Sequence, residues 1–322
     1  MNMFWTIYKN LEKELIELSN KIYFCDKQDS VYSIHISDLL IRTSVEIEAL
    51  SKELYKLAGG NMTPVDDEGN ERDLFFDSDC IQYLDINWRI TKKRVNVVSP
   101  NFYFTKTENI VLHPLKNCNK RGMGRWKKAY QAVKHDRVES LSAGNIANLI
   151  RAMATLYLLN IYYRNEKYDV GTVMNTVPFD TRMGSDIFSV SLAHAERCRF
   201  AAYMSDESIE TSVRAELDSA VLIQKYTDDA FKLLHRTMIE YNNDARDRLL
   251  NSPEVVQFYL AHPDYKVKSL LSLAQDAGGV ELVKRMMQGQ SILSSIPKAN
   301  MEVVLYKGQK IYPVLENDET LN

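Results

Sequence analysis

The sequence contains few cysteines, and none of them stands close to another. Cys25, Cys80, Cys118 and Cys198 are spread over most of the chain. A structural zinc site needs closely spaced ligand pairs, and the sequence has no such pair. Scattered thiols without a disulfide framework are typical of a reducing compartment. We therefore predict a cytoplasmic protein without a metal centre.

Long hydrophobic runs are also missing. The longest apolar segment covers residues 152–163 and is interrupted by Asn160. A membrane-spanning helix needs about 20 apolar residues, so this segment is read as a buried helix instead. The first thirteen residues mix charged and apolar side chains and lack the apolar core of a signal peptide. The sequence therefore predicts no membrane partner.

Common catalytic motifs are absent as well. The chain has no phosphate-binding P-loop, no GxGxxG, no GxSxG and no HExxH. Gly171 and the pair Gly278–Gly279 read as turn glycines. The usual nucleotide-dependent and metal-dependent enzymes are therefore disfavoured, and we predict no cofactor.

The most informative feature that is present is a basic segment, residues 116–137, called the basic island below. It carries eight lysines and arginines and one acid, a net charge of +7, whereas the whole chain has a net charge of −3. A basic surface on an acidic body is a candidate phosphate-binding site.

The hydrophobic pattern predicts a mainly α protein of 322 residues. Helical spacing of apolar residues, with capping signals, favours helices over about residues 3–24, 31–58, 78–89, 142–163 and 205–250, and shorter ones up to about residue 287. β-Branched runs between residues 95 and 112 indicate two or three small strands. We predict a helical domain over residues 1–170 with an insertion at 59–115. A helical region over 171–322 ends in a β-hairpin near Gly308 and is either separate from this domain or continuous with it.

Helical spacing also divides the side chains of residues 125–137 between two faces. Trp126, Tyr130 and Val133 share a face that should enter the core, whereas Lys128 and His135 share another. His135 is suited to move protons near neutral pH, and cationic side chains can hold a phosphate. The candidate catalytic residues for metal-independent RNA cleavage are His135, Lys128, Arg137 and Asp136, with Asp136 either orienting the imidazole or pairing with a neighbouring basic residue. The alternative is a solvated helix face whose end is a polar cap with ion pairs.

Further basic residues are predicted to contact nucleic acid. A second basic cluster stands beside Trp88, and if it folds near the basic island, the two make a groove for a single strand. Otherwise it is a solvated helix end. The predicted nucleic-acid-binding residues are Arg121, Arg125, Lys127, Lys134, Arg89, Lys92, Lys93 and Arg94.

Three segments carry a family resemblance. WKKAYQAVKHDR (126–137), NIANLIRAMATLYLLNIYY (145–163) and SVEIEALSKELY (44–55) together resemble bacterial HEPN-like proteins over about residues 30–165. The resemblance implies a HEPN-like helical bundle with a small β insertion and a helical C-terminal extension. It also implies a homodimer or larger assembly, and a ribonuclease of toxin–antitoxin or antiviral defence systems.

The chain departs from the catalytic motif of that superfamily, which is an arginine followed after four to six residues by a histidine. No arginine precedes a histidine at this spacing, and Lys128, with six residues between it and His135, is the nearest equivalent. Lysine lacks the planar fork of arginine, so the exchange is not neutral. Two functions stay open: a metal-independent endoribonuclease or toxin effector, and a non-catalytic helical protein that binds RNA or a partner protein with the same face.

Overall fold

The structure is a computed structural model that describes residues 2–195, 207–287 and 296–313. The chain divides into two compact units, and each is built from three separate stretches. Unit 1 comprises Met1–Tyr168, Phe179–Gln224 and Val303–Lys310. Unit 2 comprises Asp169–Pro178, Lys225–Glu302 and Ile311–Asn322. Cys198 lies outside the described residues.

Three long helices build the core of unit 1, and the shorter ones surround the basic island. The predicted helices over residues 31–58 and 142–163 match two of these closely, whereas the helix predicted over 3–24 ends at Ser19 and Phe24 lies in a strand. The helices of unit 1 are α1 Met3–Ser19, α2 Ile34–Leu57, α3 Gln82–Trp88, α4 Thr107–Ile110, α5 Arg125–His135, α6 Arg137–Ser140, α7 Ile146–Arg164 and α8 Glu207–Ser219. A π-helical turn, Phe76–Ile81, leads into α3.

Helix α7 is the centre of the unit 1 core. Sixteen of its 19 residues are buried, which is the pattern of a helix surrounded by protein on all sides. Asn145 caps its first turn, because its side-chain oxygen accepts a hydrogen bond from the Asn148 N–H (3.0 Å). The helix packs most extensively against α2. The prediction of a central apolar helix is confirmed.

The strands within the described ranges form three sheets. Strand β1 (Phe24–Cys25) pairs in parallel with β3 (Phe102–Tyr103). A three-stranded antiparallel sheet has the order β4-β2-β7, made of Val111–Leu112, Val95–Val97 and Phe188–Val190. A five-stranded mixed sheet has the order β6-β5-β10-β9-β8, made of Asn175–Thr176, Tyr168–Thr172, Asn300–Leu305, Leu222–Tyr226 and Leu192–His194. Strands β8 and β9 are parallel, whereas β5 and β6 form an antiparallel hairpin.

The prediction of an all-α helical bundle with a small β insertion is wrong. Over the residues that the structure describes, the protein is 55% helical and 13% strand, and most of the strand residues lie in the half of the chain that was predicted to be helical. Strand β9 interrupts the helix predicted over residues 205–250. The apolar run 220–223, which leads into this strand, is too short for periodicity to distinguish a strand from a buried helix. The preceding helix ends at Ser219, and Thr227 caps the next one through a bond from the Ala230 N–H (3.2 Å).

The predicted C-terminal hairpin is also wrong over the described residues. Strand β10 does not fold back on itself at Gly308 but lies inside the five-stranded sheet, between β5 and β9. The Tyr306 N–H donates to the Val221 carbonyl (2.9 Å), and the Thr227 N–H donates to the Asn300 carbonyl (3.0 Å). Strand β10 is therefore held by strands that are distant in sequence.

Unit 2 has its own helices and its own core. Its helices are α9 Asp228–Leu250, α10 Pro253–Ala261 and α11 Leu270–Met287, and the last is kinked at Gly279 (φ 62°, ψ −155°). Leu249, Val255, Leu273 and Leu282 form the centre of a buried apolar cluster. Ser252 caps α10, because its hydroxyl accepts from the Val255 N–H (3.4 Å), and Pro253 occupies the first helical position. No described helix in either unit is long and apolar enough to cross a membrane.

Candidate nucleic-acid interface

Helix α5 is anchored in unit 1 by the aromatic face that the sequence predicted. Trp126, Tyr130 and Val133 are buried, and the Trp126 indole N–H donates to the carbonyl oxygen of Pro114 (3.0 Å). Thr155 on α7 donates its hydroxyl to the same oxygen (3.3 Å). The helix therefore presents its polar face outward from a fixed position.

The segment between β4 and α5, residues 113–124, is called the basic loop, and it is held in place by buried or polar anchors. The Asn119 amide donates to the Asp85 carboxylate (2.8 Å), and the Gly122 N–H donates to the Asp77 carboxylate (3.0 Å). Cys118 is fully buried beneath the loop. Because these contacts fix its backbone, the loop offers cationic side chains in a preorganised arrangement.

Three clefts open around the basic loop, all within unit 1. The arginine cleft (about 570 Å³) is lined by Glu108, His113, Lys116, Arg125, Lys128 and Arg151, among others. The lysine cleft (about 520 Å³) includes Lys92, His113, Lys116, Lys120 and Asp218. The phenylalanine cleft (about 560 Å³) includes Lys52, Phe75, Asp77, Arg121, Lys128 and Gln131. The three clefts are neighbours because they share lining residues. His113 and Lys116 line both the arginine cleft and the lysine cleft, and Lys128 lines both the arginine cleft and the phenylalanine cleft.

Two guanidinium groups dominate the electrostatics of the arginine cleft. Arg151 on α7 donates to the carbonyl oxygens of Ala147 and Glu108 (both 2.9 Å) and to the side-chain oxygen of Asn109 (3.1 Å). Burial, and then the charge of Arg125, lower the pKa of Arg151 to about 10, so it stays charged at pH 7. The hydrogen-bond acceptors of Arg151 are neutral, and the carboxylates of Asp29 and Glu108 act on its charge without an ion pair to it.

His113 faces both the arginine cleft and the lysine cleft. Its pKa is lowered from the ordinary value of 6.5, first by burial and then by the charges of Lys116 and Arg94. The imidazole is therefore mainly neutral at pH 7 and can accept a proton. No sequence motif marks this histidine, and its placement beside Arg151 depends on the packing of α7.

The four predicted catalytic residues are not brought together as one site. His135 is exposed and its Nε2 bonds with the Gln131 side-chain oxygen (3.1 Å). Asp136 caps α6 by accepting from the Glu139 N–H (3.2 Å), and Arg137 pairs with Asp38 on α2 (3.0 Å). Lys128 lines two of the clefts, but His135 lines none of the three.

The predicted binding residues within the basic island have different surroundings. Arg121 and Arg125 are exposed and line clefts. Lys127 is 7% exposed and forms an ion pair with Glu48, with its amine 4.6 Å from the centre of the Phe76 ring. Lys134 is exposed, and its amine lies 5.5 Å from the centre of the Tyr130 ring. Lys127 therefore lines the phenylalanine cleft as a mostly buried lysine whose charge is paired with Glu48.

The second basic cluster is dispersed rather than continuous with a groove. Arg89 and Lys92 both pair with Asp218, and only Lys92 of this cluster lines a cleft. Lys93 is completely buried and donates to the Ala220 carbonyl (2.8 Å), and burial lowers its pKa to about 7. Arg94 is partly buried, and its carbonyl accepts from the Ser191 hydroxyl (3.2 Å). Lys93 is thus out of reach of any ligand.

The sequence reasoning missed His113, Lys116 and Arg151 as members of the candidate site. Lys116 belongs to the basic island, so the density of charge was a signal for it. His113 is the first residue of the basic loop but lies outside the basic island, and Arg151 reaches the loop only through the packing of α7, so neither carries a local signal. Among the residues that the structure describes, no group of three His, Cys, Asp or Glu side chains could hold a metal ion.

No protein-family model, no curated protein and no solved structure matches this chain. The resemblance to HEPN-like proteins therefore stays a prediction, and the function is argued from the three clefts.

Proposed function

We propose that the protein binds single-stranded RNA in the clefts around the basic loop of unit 1. The observation that carries the proposal is the arginine cleft, where Arg125, Arg151, Lys116 and Lys128 face one lining carboxylate, Glu108. A phosphodiester places its negative charge between guanidinium and ammonium groups and relieves their mutual repulsion.

The arrangement of the clefts favours a chain of phosphates over a single one. Cations line each of the three clefts, and neighbouring clefts share Lys116 or Lys128. An RNA strand that follows the basic loop therefore meets cationic side chains in each of the three clefts. The protein as a whole has a net charge of −3, so the attraction is confined to this surface.

A salt series with variants of the clefts tests the proposal. The probe is a fluorescently labelled 12-nucleotide single-stranded RNA, and binding is followed by anisotropy between about 50 and 300 mM salt. We expect Arg125→Ala and Lys116→Ala each to weaken binding about 5- to 10-fold and to lower the salt slope by about 1. Lys13→Ala removes the same charge from the exposed face of α1 and should leave both values unchanged.

Either of two results contradicts the proposal. One is a wild-type protein that shows no salt-sensitive retention of the strand. The other is a loss of affinity in Lys13→Ala as large as in the two cleft variants, because this would place the contacts outside the clefts.

A second candidate function is metal-independent cleavage of the bound RNA, and the neutral imidazole of His113 favours it. A neutral imidazole in a cationic cleft can accept the proton of a ribose 2′-hydroxyl as that oxygen attacks the adjacent phosphorus. The bond to the 5′-oxygen breaks and water protonates the leaving group, which gives a 2′,3′-cyclic phosphate and a 5′-hydroxyl. Lys116 and Arg151 would stabilise the charge on the phosphate.

Incubation with RNA in EDTA tests this second candidate. Cleavage by the wild-type protein that is lost in His113→Ala, but kept in His135→Ala, would support it. Cleavage lost only in His135→Ala would instead support the histidine predicted from the sequence. A strand with 2′-deoxyribose throughout should resist cleavage, and its cleavage would contradict the mechanism.

A further inference from the structure

Phe75 is a partly exposed aromatic ring at the edge of the basic surface. It directly precedes the π-helical turn Phe76–Ile81, is 39% exposed, and lines the phenylalanine cleft. The guanidinium of Arg72 lies 4.8 Å from the centre of its ring, and that of Arg121 lies 5.1 Å from it. An exposed aromatic side chain beside cations is the arrangement on which single-stranded nucleic acids stack their bases.

One of the two guanidinium groups is fixed. Arg72 forms two hydrogen bonds to the Asp79 carboxylate (2.7 and 2.9 Å) and a third to the Asp73 carbonyl (2.9 Å). The same carboxylate accepts the Phe75 N–H (2.7 Å). The position of the Phe75 backbone and the guanidinium beside its ring are therefore set by one acidic residue.

Arg121 is the adjustable member of the group. It belongs to the exposed part of the basic loop, and within the described residues no carboxylate forms an ion pair with it. Its contact with the Phe75 ring is a surface contact, which contributes about 0.5–1 kcal/mol. A planar base can therefore displace the guanidinium or slide beneath it at small cost.

The rest of the phenylalanine cleft suits a nucleoside and its phosphate. Gln131 brings an amide to the wall, a group that hydrogen-bonds with base edges, and Lys52 and Lys128 supply charge. Of the two lining carboxylates, Glu48 is paired with Lys127 and Asp77 accepts the Gly122 N–H. The volume of about 560 Å³ falls within the range of small-ligand sites. Lys128 also lines the arginine cleft, so a phosphate bound there adjoins the base.

We propose that the phenylalanine cleft holds one nucleobase of the bound strand, stacked on the ring of Phe75, while Lys128 holds the neighbouring phosphate. This inference rests on the proposed RNA binding and adds that the protein recognises unpaired bases. Because a base in a duplex has no free face, double-stranded RNA cannot enter the cleft.

Two substitutions at Phe75 separate stacking from packing. Phe75→Leu keeps an apolar side chain but removes the aromatic face, whereas Phe75→Trp enlarges that face. With the 12-nucleotide single strand, we expect Phe75→Leu to weaken binding about 10-fold and Phe75→Trp to retain the wild-type affinity. The salt slope should stay at the wild-type value in both variants, because no phosphate contact is lost. Thermal unfolding of both variants controls for folding.

A test on the unchanged protein avoids any effect of the substitutions. Strands that are fully abasic but of equal length and charge should bind the wild-type protein about 10-fold more weakly than normal strands. The penalty should disappear in Phe75→Leu, and 2-aminopurine in a normal strand should lose fluorescence on binding the wild-type protein. A duplex of equal length should compete poorly.

The outcomes distinguish this inference from the function on which it rests. Equal affinity for normal and abasic strands, with Arg125→Ala still impaired, overturns the base cleft and leaves RNA binding intact. No salt-sensitive binding of any strand overturns both. Binding of free nucleoside monophosphates as tightly as the strand overturns the assignment to a polymer.

Discussion

At the level of single residues, His113 makes a testable link between protonation and binding. Its pKa is lowered by burial and by two positive neighbours, so it takes up a proton only below its ordinary pH range. A protonated imidazole adds positive charge to the arginine cleft, and a bound phosphate raises the pKa again. RNA binding should therefore tighten as the pH falls from 7.5 to 5.5.

Anisotropy titrations over this pH range check the expectation. His113→Gln should bind with a shallower pH dependence, whereas His135→Gln removes an exposed histidine outside the clefts and should follow the wild type. An identical pH dependence in wild-type protein and His113→Gln would show that another group is responsible.

Lys93 gives a second pH effect, on stability rather than binding. Its pKa is about 7 in the folded protein, whereas the ordinary pKa of a lysine is 10.5. The pKa is lowered because burial disfavours the charged amine. Between these two values the unfolded chain binds more protons, so the free energy of unfolding rises with pH. Relative to Lys93→Met, the wild-type protein should gain about 1 kcal/mol per pH unit between pH 7.5 and 9.5.

Urea unfolding of both proteins at several pH values measures this difference. A constant difference in unfolding free energy between wild type and Lys93→Met would show that the amine keeps an ordinary pKa despite its burial.

Side-chain roles within the basic island were only partly predictable from the sequence. Helical spacing correctly assigned Trp126, Tyr130 and Val133 to the core, because period and apolarity are local properties. The pairing of Lys127 with Glu48 was not predictable, since the partner lies on another helix and far away in sequence. A dense run of charge therefore locates a basic surface but does not identify the charges that are free to bind.

At the level of elements, the conformation of the basic loop depends on Gly124. Its φ of +99° is unfavourable for other residues, and a Cβ there would lie 2.6 Å from the Cys118 sulfur. Gly124→Ala should lower the free energy of unfolding by about 2–3 kcal/mol and weaken RNA binding, because the loop loses its fixed form.

Gly122→Ala is the matched control for this change. Gly122 also has a positive φ (+67°), but nothing lies within 4 Å of an added Cβ. Gly122→Ala should therefore lower the free energy of unfolding by about 1 kcal/mol, through backbone strain alone. Urea unfolding and RNA-binding anisotropy distinguish the two variants. An equal loss of unfolding free energy in both variants would contradict the steric role of Cys118.

The elements themselves divide into predictable helices and unpredictable strands. Helices α1 and α2 have long periodic patterns and α7 is a long apolar segment with a capping residue, so local sequence was sufficient to predict that these helices exist. Strands β7, β8 and β9 are three to five residues long and acquire their hydrogen bonds from distant segments. Their formation depends on tertiary pairing, which a single sequence does not encode in a local pattern.

At the level of the whole molecule, the three clefts belong to unit 1, and unit 2 has a separate apolar cluster. Leu273→Ala should lower the free energy of unfolding by about 2–4 kcal/mol, because Leu273 is fully buried in that cluster. RNA affinity should change less than twofold at a temperature where the variant stays folded.

Leu159→Ala provides the comparison in unit 1. Leu159 is fully buried on α7, the helix that carries Arg151. This variant should lose a similar free energy of unfolding and also weaken RNA binding. Calorimetry measures the free energy of unfolding and anisotropy measures RNA affinity. If Leu273→Ala bound RNA more weakly than Leu159→Ala, the binding surface would lie outside unit 1.

The alternation of the two units along the chain has a consequence for biosynthesis. The Tyr162 hydroxyl on α7 donates to the Tyr306 carbonyl (3.0 Å), and residues 303–310 belong to unit 1. A ribosome must therefore translate past residue 310 before unit 1 can close, although its central helix emerges much earlier. Until then the nascent chain carries exposed apolar surface from α7. A polypeptide released by a premature stop near residue 300 would be a substrate for chaperones and proteases rather than a shorter working protein.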